Sequence, residues 1–338
     1  MHDASLLPLA AASTSPGLVW AYRMLPGEPV QELASGDVEA ALAAPEGWIW
    51  LHVDLIDKRT HGWIGESCGL PPAVRASLEA HAEALALRHE DGVVHGLCAD
   101  FHRELDQMTN TIGRLAFAVS ERLLVTGRRH TLNGPDELRR ALQAGARPQT
   151  AYDLFAALVN TFCDHAGQRL AETAAVLDDI EDRLVSGHAG DERRRLTGVR
   201  RLALAMHRPV AALCGHFHAQ ERSNWALSQD GHAMLQRLGD RLAALDREVV
   251  TANERAKLLQ EELSAELESE SNRSLKALAV MTALLLPGSF ISGIFGMNTA
   301  GLPFVDTPGG FWIALGLAVL ATTLFYLALR RAGVSLRF

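Results

Sequence analysis

Neutral oxygen donors follow the first of two uncharged segments near the C-terminus. Gly296-Met297-Asn298 comes directly after a run without charged residues that ends at Phe295. A ring of Asn298 amides and backbone carbonyls, contributed by several chains, can hold a divalent cation through its hydration water, which Mg²⁺ releases reluctantly. Zn²⁺ normally takes His, Cys and carboxylate ligands, so neutral oxygens would bind it weakly enough for release. We predict an outer-sphere metal site at Asn298; the alternative is a plain helix C-cap.

A second set of metal-binding residue types lies within a stretch of five residues. Cys214, His216 and His218 all carry atoms that ligate zinc. Cys214 and His218 are four residues apart, so they share one face of a helix. We predict a regulatory metal site here; the alternative is a chance grouping, since the chain has 14 histidines.

Two pairs of His and Asp are spaced by two residues in strand-like segments. They are His52 with Asp54 and Asp100 with His102. Alternate residues of a strand point to the same face, so each pair can present both side chains together. Metal binding is one interpretation of these pairs, and an ordinary structural role is the other.

Two apolar segments must position the Asn298 oxygens. Residues 277–295 and 307–329 contain no charged residue. A helix rises about 1.5 Å per residue, so the first segment spans nearly 30 Å, the thickness of one hydrocarbon core. We predict a transmembrane hairpin; the alternative is a pair of buried helices in a soluble core.

Basic residues set the orientation of this hairpin. Arg273 and Lys276 precede the first segment, and Arg330, Arg331 and Arg337 follow the second. The loop at 298–310 between the segments contains no Lys or Arg. Because Lys and Arg concentrate on the cytoplasmic side, both chain ends should be cytoplasmic and the loop external.

Counting back from Asn298 at helical spacing predicts the face that lines a pore. The residues on that face are Gly293, Ser289, Leu286, Thr282, Leu278 (or Ala279) and Asn272. Two of them carry hydroxyl oxygens, and Leu286 and Leu278 are apolar constrictions of the kind that gate by dewetting. The alternative is that some of these residues face neighbouring helices.

The soluble part has two regions of different character. Up to about residue 145, short aromatic and β-branched runs alternate with short helical patterns, which predicts an α/β domain. The predicted strands are 17–24 and 47–55, a hairpin around Asp91-Gly92, and a pair around Ser120-Glu121; the predicted helices are 36–43 and 72–80. Helical periodicity follows at 150–185 and from about Gly231 to Phe295, a length that predicts an acidic stalk associating with other copies.

Composition excludes several classes of protein. The net charge is −8, from 40 acidic and 32 basic residues, which disfavours nucleic acid as a partner. The four cysteines form no CxxC pair and favour reduced thiols. The sequence contains no GxGxxG, Walker A, HExxH or GxSxG pattern, so we predict no enzyme and no resident cofactor.

The Gly-Met-Asn tripeptide at the outer end of the first segment, with Pro287 before it and a basic tail after the second segment, resembles the signature of the CorA family of divalent-metal transporters. The loop Thr-Ala-Gly-Leu-Pro after Asn298 is most similar to the zinc-transporting ZntB branch. The resemblance implies an α+β membrane protein and a homopentameric funnel in the inner (plasma) membrane. It also implies that Gly296, Met297 and Asn298 form the selectivity filter and that Asn272 lines the inner mouth.

The function implied is uptake of zinc, with coupling to protons. A CorA-like channel for Mg²⁺, Co²⁺ or Ni²⁺, with Cd²⁺ as a further possible cargo, is one alternative, and a membrane-anchored metal sensor without transport is another. The partners are other copies of the chain, the bilayer, divalent cations and protons. The expected domains are a cytoplasmic α/β domain at 1–148, a helical stalk at 149–274, a pore helix at 275–297, an external loop at 298–310, a second transmembrane helix at 311–330 and a basic cytoplasmic tail at 331–338.

Overall fold

The computed structural model describes residues 15–79, 84–104, 107–186, 192–221, 223, 225–297, 303 and 309–331. Asn298, most of the loop at 298–310 and all of the tail beyond Arg331 therefore lie outside the described residues. The chain divides into two compact units, one up to Leu259 and the other from Gln260 onward.

The first unit is built on a seven-stranded sheet. Its strands are β1 (Leu18–Met24), β2 (Gln31–Glu32), β3 (Trp48–Asp54), β4 (Ala86–Glu90), β5 (Val93–Glu104), β6 (Gln107–Val119) and β7 (Leu123–Arg128). Their spatial order is β2-β1-β3-β7-β6-β5-β4. Among the strands of the described residues, only the β3–β7 pair is parallel, with Trp50 opposite Leu124 and His52 opposite Thr126. The predicted hairpin and the predicted strand pair are β4–β5 and β6–β7, and both are confirmed.

Helices cover both faces of this sheet because its central strands are apolar on both sides. Three short helices lie over one face: α1 (Val38–Ala43), α2 (Lys58–Ser67) and α3 (Pro72–Glu79). Alternate residues of β3 point to that face, namely Ile49, Leu51 and Val53. Trp48 and Trp50 point to the opposite face. The result is a three-layer α/β/α arrangement, as the mixed strand and helix patterns predict.

The opposite face carries α4 (Asn133–Gln143), α5 (Ala151–Val185), α6 (Glu192–Glu221) and the first part of α7 (Gln229–Phe295). Helix α5 begins at a capping box, in which the Thr150 hydroxyl accepts from the Asp153 N–H at 3.1 Å and the Asp153 carboxylate accepts from the Thr150 N–H at 3.2 Å. Phe155 stacks on Phe117 of the sheet, with ring centroids 4.3 Å apart. These contacts place α5 in the main core.

Ion pairs link α5 to α7 along their length. They are Asp153–Arg237, Asp164–Arg241 and Arg255 with both Asp178 and Glu181. The residue numbers rise together on the two helices, so α5 and α7 run in the same direction. The buried side of α7 repeats at helical spacing, at Leu235, Leu238, Leu242, Leu245, Val249, Ala252, Ala256 and Leu259. The long helix predicted from Gly231 to Phe295 is therefore confirmed.

The second unit contains the end of α7 and the helix α8 (Gly310–Arg331). Helix α7 continues through Pro287 without a break. Proline has no N–H, so the carbonyl of Ala283 loses its usual helical donor at this point. The second predicted apolar helix, at 311–330, corresponds to α8.

Candidate functional site

The two helices of the second unit expose apolar side chains to an extent that a water-soluble surface does not tolerate. Helix α8 and the end of α7 are each long and apolar enough to cross a membrane. Leu278 and Leu286 are 62% and 61% exposed, and Phe311 and Trp312 are exposed as well. Apolar surface on this scale needs lipid or other protein copies to cover it.

One side of the α7 segment packs against α8. The partly or fully covered residues of this segment recur at helical spacing, at Ala277, Val280, Ala283, Leu284, Pro287, Gly288, Ile291, Ile294 and Phe295. The helices approach closely at Gly288, where an added Cβ would lie 3.5 Å from the Thr322 hydroxyl oxygen. Small residues at such contacts allow apolar helices to pack tightly.

The predicted pore-lining residues lie on the other side of α7. Asn272, Leu278, Thr282, Leu286, Ser289 and Gly293 are all exposed in the single chain. At about 100° per residue, five of them, from Leu278 to Gly293, cluster within a narrow arc that is centred opposite Val280 and Ile291. Asn272 lies outside that arc, about 40° beyond its edge. This face is therefore free to contact other copies or an aqueous path.

Two hydroxyl groups on this face present oxygen lone pairs outward. The Thr282 hydroxyl donates to the Leu278 carbonyl at 2.9 Å, and the Ser289 hydroxyl donates to the Leu286 carbonyl at 3.0 Å. Because each proton is used within the helix, the oxygen remains available as an acceptor. The face thus offers neutral oxygens to a cation or to its hydration water, one between Leu278 and Leu286 and one beyond Leu286.

Helix α7 ends at the predicted filter. The Gly296 N–H donates to the Ser292 carbonyl at 2.9 Å and the Met297 N–H to the Ile294 carbonyl at 3.2 Å, so the backbone stays wound to Met297. Met297 is 56% exposed. Asn298, the residue expected to hold the metal, lies outside the described residues, so its placement stays a prediction.

Charges flank the apolar segment on α7. Between Gln260 and Asn272 the helix carries five exposed glutamates without an ion pair in the described part of the chain: Glu261, Glu262, Glu266, Glu268 and Glu270. Arg273 and Lys276 follow them, and Arg330 and Arg331 end α8. A cluster of unpaired carboxylates raises the local concentration of cations.

The cysteine and histidine ligands proposed from the sequence do not assemble into a metal site. Cys214, His216 and His218 all lie on α6, and the described residues contain no group of three or more His, Cys, Asp or Glu that could hold a metal ion. The two His/Asp pairs are separated as well, because β7 and β6 lie between β3 and β5.

His52 has a structural role in the core. Its ring is fully buried, stacks on Trp20 with centroids 4.3 Å apart, and has Nδ1 2.8 Å from the Thr126 hydroxyl oxygen. Burial, together with the charges of Arg128 and Arg139, lowers the pKa of His52 well below its usual value. The ring is therefore neutral at physiological pH.

Asp100 belongs to a polar cluster that sequence reasoning missed. Its side chain is 2% exposed and accepts from the backbone N–H groups of Gly134 and Phe101, both at 2.8 Å. Burial raises the pKa of Asp100 to about 7, against the opposing effect of those two hydrogen bonds. The carboxyl group thus lies at the start of α4 and is about half-protonated near neutral pH.

The cluster extends to α5 through the residues around Asp100. His165 Nε2 lies 2.8 Å from a Glu137 carboxylate oxygen, and the Asn133 amide nitrogen lies 3.0 Å from the same carboxylate. The charges of His165 and Glu137 act on the Asp100 pKa in opposite directions. The sequence signal for this cluster is weak: an Asp that follows the apolar stretch Leu97-Cys98-Ala99 of β5.

Known proteins resemble most of this chain. The sequence matches the family model described as a CorA-like Mg²⁺ transporter protein over residues 45–331. It is 25% identical over 311 residues to the divalent cation transporter CmaX of Pseudomonas aeruginosa, covering 88% of this chain and 91% of that protein. It is also 25% identical over 281 residues to the zinc transport protein ZntB of Cronobacter sakazakii, covering 82% and 83%.

A solved structure supports the fold. The structure of the full-length CmaX protein superposes with a TM-score of 0.77 at 23% sequence identity, covering 93% of this chain and 97% of that chain. At this level of identity the likeness shows a common fold. The family resemblance drawn from the Gly296-Met297-Asn298 sequence and the apolar hairpin is confirmed.

Proposed function

Because the chain belongs to the CorA family of divalent-metal transporters, we propose that it carries Zn²⁺ into the cell through a pore formed by the α7 helices of five copies in the inner membrane. The observation that carries this proposal is the position of Thr282, Leu286 and Ser289 on the side of α7 opposite α8. Five such faces around an axis form a path of neutral oxygens and apolar constrictions, closed on the outside by Gly296, Met297 and Asn298.

The basic residues support an orientation with both chain ends in the cytoplasm. Arg273, Lys276, Arg330 and Arg331 all lie at one end of the two apolar helices. In this orientation, residues 1–148 and the stalk at 149–274 are cytoplasmic, 275–297 and 311–330 cross the membrane, 298–310 form the external loop and 331–338 the inner tail. The exposed glutamates of α7 then attract cations at the inner mouth.

The membrane potential is sufficient to drive uptake. It contributes about 2.3 kcal/mol per charge per 100 mV, or roughly 4.6 kcal/mol for a divalent cation moving inward. No Asp, Glu or His lies between Ala277 and Phe295. Coupling to protons would therefore use groups in the loop, in the first unit or in water rather than a relay inside this helix.

The choice of zinc as cargo rests on the loop after Asn298 and on the relatives named for zinc transport. The CmaX relative, which is described only as a divalent cation transporter, has the same identity over more of the chain. That observation favours a second candidate function, uptake of several divalent cations including Mg²⁺ and Co²⁺.

Flux into proteoliposomes separates these functions. Wild type and Asn298→Ala are compared for uptake of Zn²⁺ and of Mg²⁺, each with and without a proton gradient. Uptake of Zn²⁺ that Asn298→Ala abolishes supports the proposal, and equal uptake of Mg²⁺ supports the broader cargo. Metal binding without any flux would identify a sensor and exclude transport.

A matched pair of cysteine variants tests the pore face itself. Thr282 and Thr323 are both exposed, and both hydroxyls donate to the carbonyl four residues earlier, at 2.9 and 2.7 Å. Thr282→Cys lies on the proposed pore face of α7, whereas Thr323→Cys lies on α8. A charged thiol reagent should block flux through Thr282→Cys and leave Thr323→Cys at the wild-type level. Equal sensitivity of the two variants would contradict the assignment of this face.

A further inference from the structure

A cavity outside the transport path lies between α6 and one end of the sheet. Its volume is about 540 Å³, within the range of small-molecule sites. Leu85, Ala99 and Ile112 contribute apolar wall from the sheet side, and Pro209 and Ala212 contribute it from α6. The small side chains of the two alanines leave the space open.

Two arginines and one histidine also line this cavity. Arg114 comes from β6, and Arg208 and His216 come from α6. None of the three has a hydrogen bond or an ion pair with any described residue, and no carboxylate of the described residues lines the cavity. Arg114 and Arg208 are exposed and His216 is half-buried, so both guanidinium groups are open to a ligand.

The positive charge of the residues that line the cavity favours an anionic ligand. Two guanidinium groups without a neighbouring acid repel a divalent cation, so His216 is poorly placed to bind zinc here. The same groups form charge-assisted, forked hydrogen bonds to carboxylate or phosphate oxygens. The apolar residues of the cavity can cover the nonpolar part of a ligand and remove it from water, which favours binding.

We propose that this cavity binds a small organic anion, whose phosphate or carboxylate group pairs with Arg114 and Arg208 and whose apolar body packs against Leu85, Ile112 and Pro209. The site lies entirely within the first unit. None of its lining residues belongs to the ion path proposed for α7, so binding at the cavity and flux through the pore can be measured separately.

Calorimetric titration of the full chain in lipid nanodiscs tests the proposal with four probes. AMP carries a phosphate and an aromatic body, benzoate a carboxylate and an aromatic body, inorganic phosphate only the charge, and adenosine only the body. We expect AMP or benzoate to bind with a Kd of about 1 mM or lower, and inorganic phosphate and adenosine to bind at least about tenfold more weakly.

Variants locate the binding to the cavity. The double variant Arg114→Gln/Arg208→Gln should weaken binding at least about tenfold, because each lost charge-assisted bond contributes about 1.5–3 kcal/mol. Ala212→Phe, which fills the cavity and keeps its charge, should also weaken binding. Arg194→Gln, an exposed change near the start of α6, is the matched control and should bind as wild type does.

Three results would overturn the proposal. They are no binding of AMP or benzoate to wild type, wild-type affinity in both the double variant and Ala212→Phe, and inorganic phosphate binding as tightly as AMP. Circular dichroism of each variant verifies that the fold is intact before the affinities are compared.

Discussion

Replacing Asp100 with asparagine should change the way in which the stability of the first unit depends on pH. The Asp100 carboxyl group is buried, and its two oxygens accept from the N–H groups of Phe101 and Gly134 at 2.8 Å. Burial raises its pKa from 3.8 to about 7. The Asp100→Asn variant keeps a side chain of nearly the same shape that is neutral at every pH.

The direction in which stability changes with pH depends on whether the folded or the unfolded state binds the Asp100 proton more tightly. Because the pKa of Asp100 is higher in the folded protein, folding is linked to proton uptake between about pH 4 and pH 7. The contribution of Asp100 is fully present below about pH 4 and is lost as the pH rises to about 7. One pKa unit corresponds to about 1.4 kcal/mol, so a shift of about three units amounts to at most about 4 kcal/mol.

Two buried histidines change the stability of the fold with pH in the opposite sense to Asp100, so the measurement must remove their contribution. Burial lowers the pKa of His52, and it lowers the pKa of His95 to about 4, so each of them destabilises the fold as the pH falls below 6.5. Both residues are present in wild type and in Asp100→Asn. The difference between the two proteins therefore isolates Asp100.

Urea unfolding at several pH values, followed by tryptophan fluorescence, measures this difference. Trp20 and Trp50 report on the core of the first unit, where they are almost fully buried. From pH 5 to pH 7, wild type should lose up to about 1.4 kcal/mol per pH unit relative to Asp100→Asn. Parallel stability curves for the two proteins across this range would refute the reasoning.

Three further substitutions should have effects of very different size on the free energy of unfolding. Gly96→Ala should cost more than about 2 kcal/mol, because Gly96 has φ +151° and an added Cβ would overlap the Ala86 carbonyl oxygen; a cost under about 0.5 kcal/mol would contradict this. Phe155→Ala should cost about 3–5 kcal/mol, because its ring is fully buried against Phe117. Arg255→Ala should cost at most about 1 kcal/mol, because its ion pairs are largely exposed. Urea denaturation of all three variants at one pH measures their free energies of unfolding. A larger loss of stability for Arg255→Ala than for Phe155→Ala would contradict the predicted order.

Local patterns were sufficient to predict most of the strands and the long helices. The aromatic and β-branched runs before Met24 and Asp54 form β1 and β3, and the Asp91-Gly92 turn joins β4 to β5. Local patterns predict no helix at α4, because it starts with Asn133-Gly134-Pro135, a sequence typical of a turn. Proline is well tolerated in the first turn of a helix, and Leu138 and Leu142 supply the buried side.

Contacts between distant parts of the chain could not be predicted in this way. Neither the pairing of β3 with β7 nor the approach of His165 to the Asp100 cluster has a local signal. Arg114 and Arg208 meet at one cavity only because α6 lies over β6. By contrast, helical periodicity alone places Thr282, Leu286 and Ser289 on one side of α7, and their role in lining a pore stays a prediction.

The parallel pairing of β3 with β7 has a consequence for the order in which the chain folds during synthesis. The centre of the sheet cannot close until Leu123–Arg128 has left the ribosome, about 70 residues after Trp48–Asp54. At about 5–20 residues per second, that interval lasts several seconds. During this time β3 cannot pair with β7, and the aromatic residues of β1 and β3 lack that part of the sheet. The apolar helices emerge last of all, so the globular part can already be complete when membrane insertion begins.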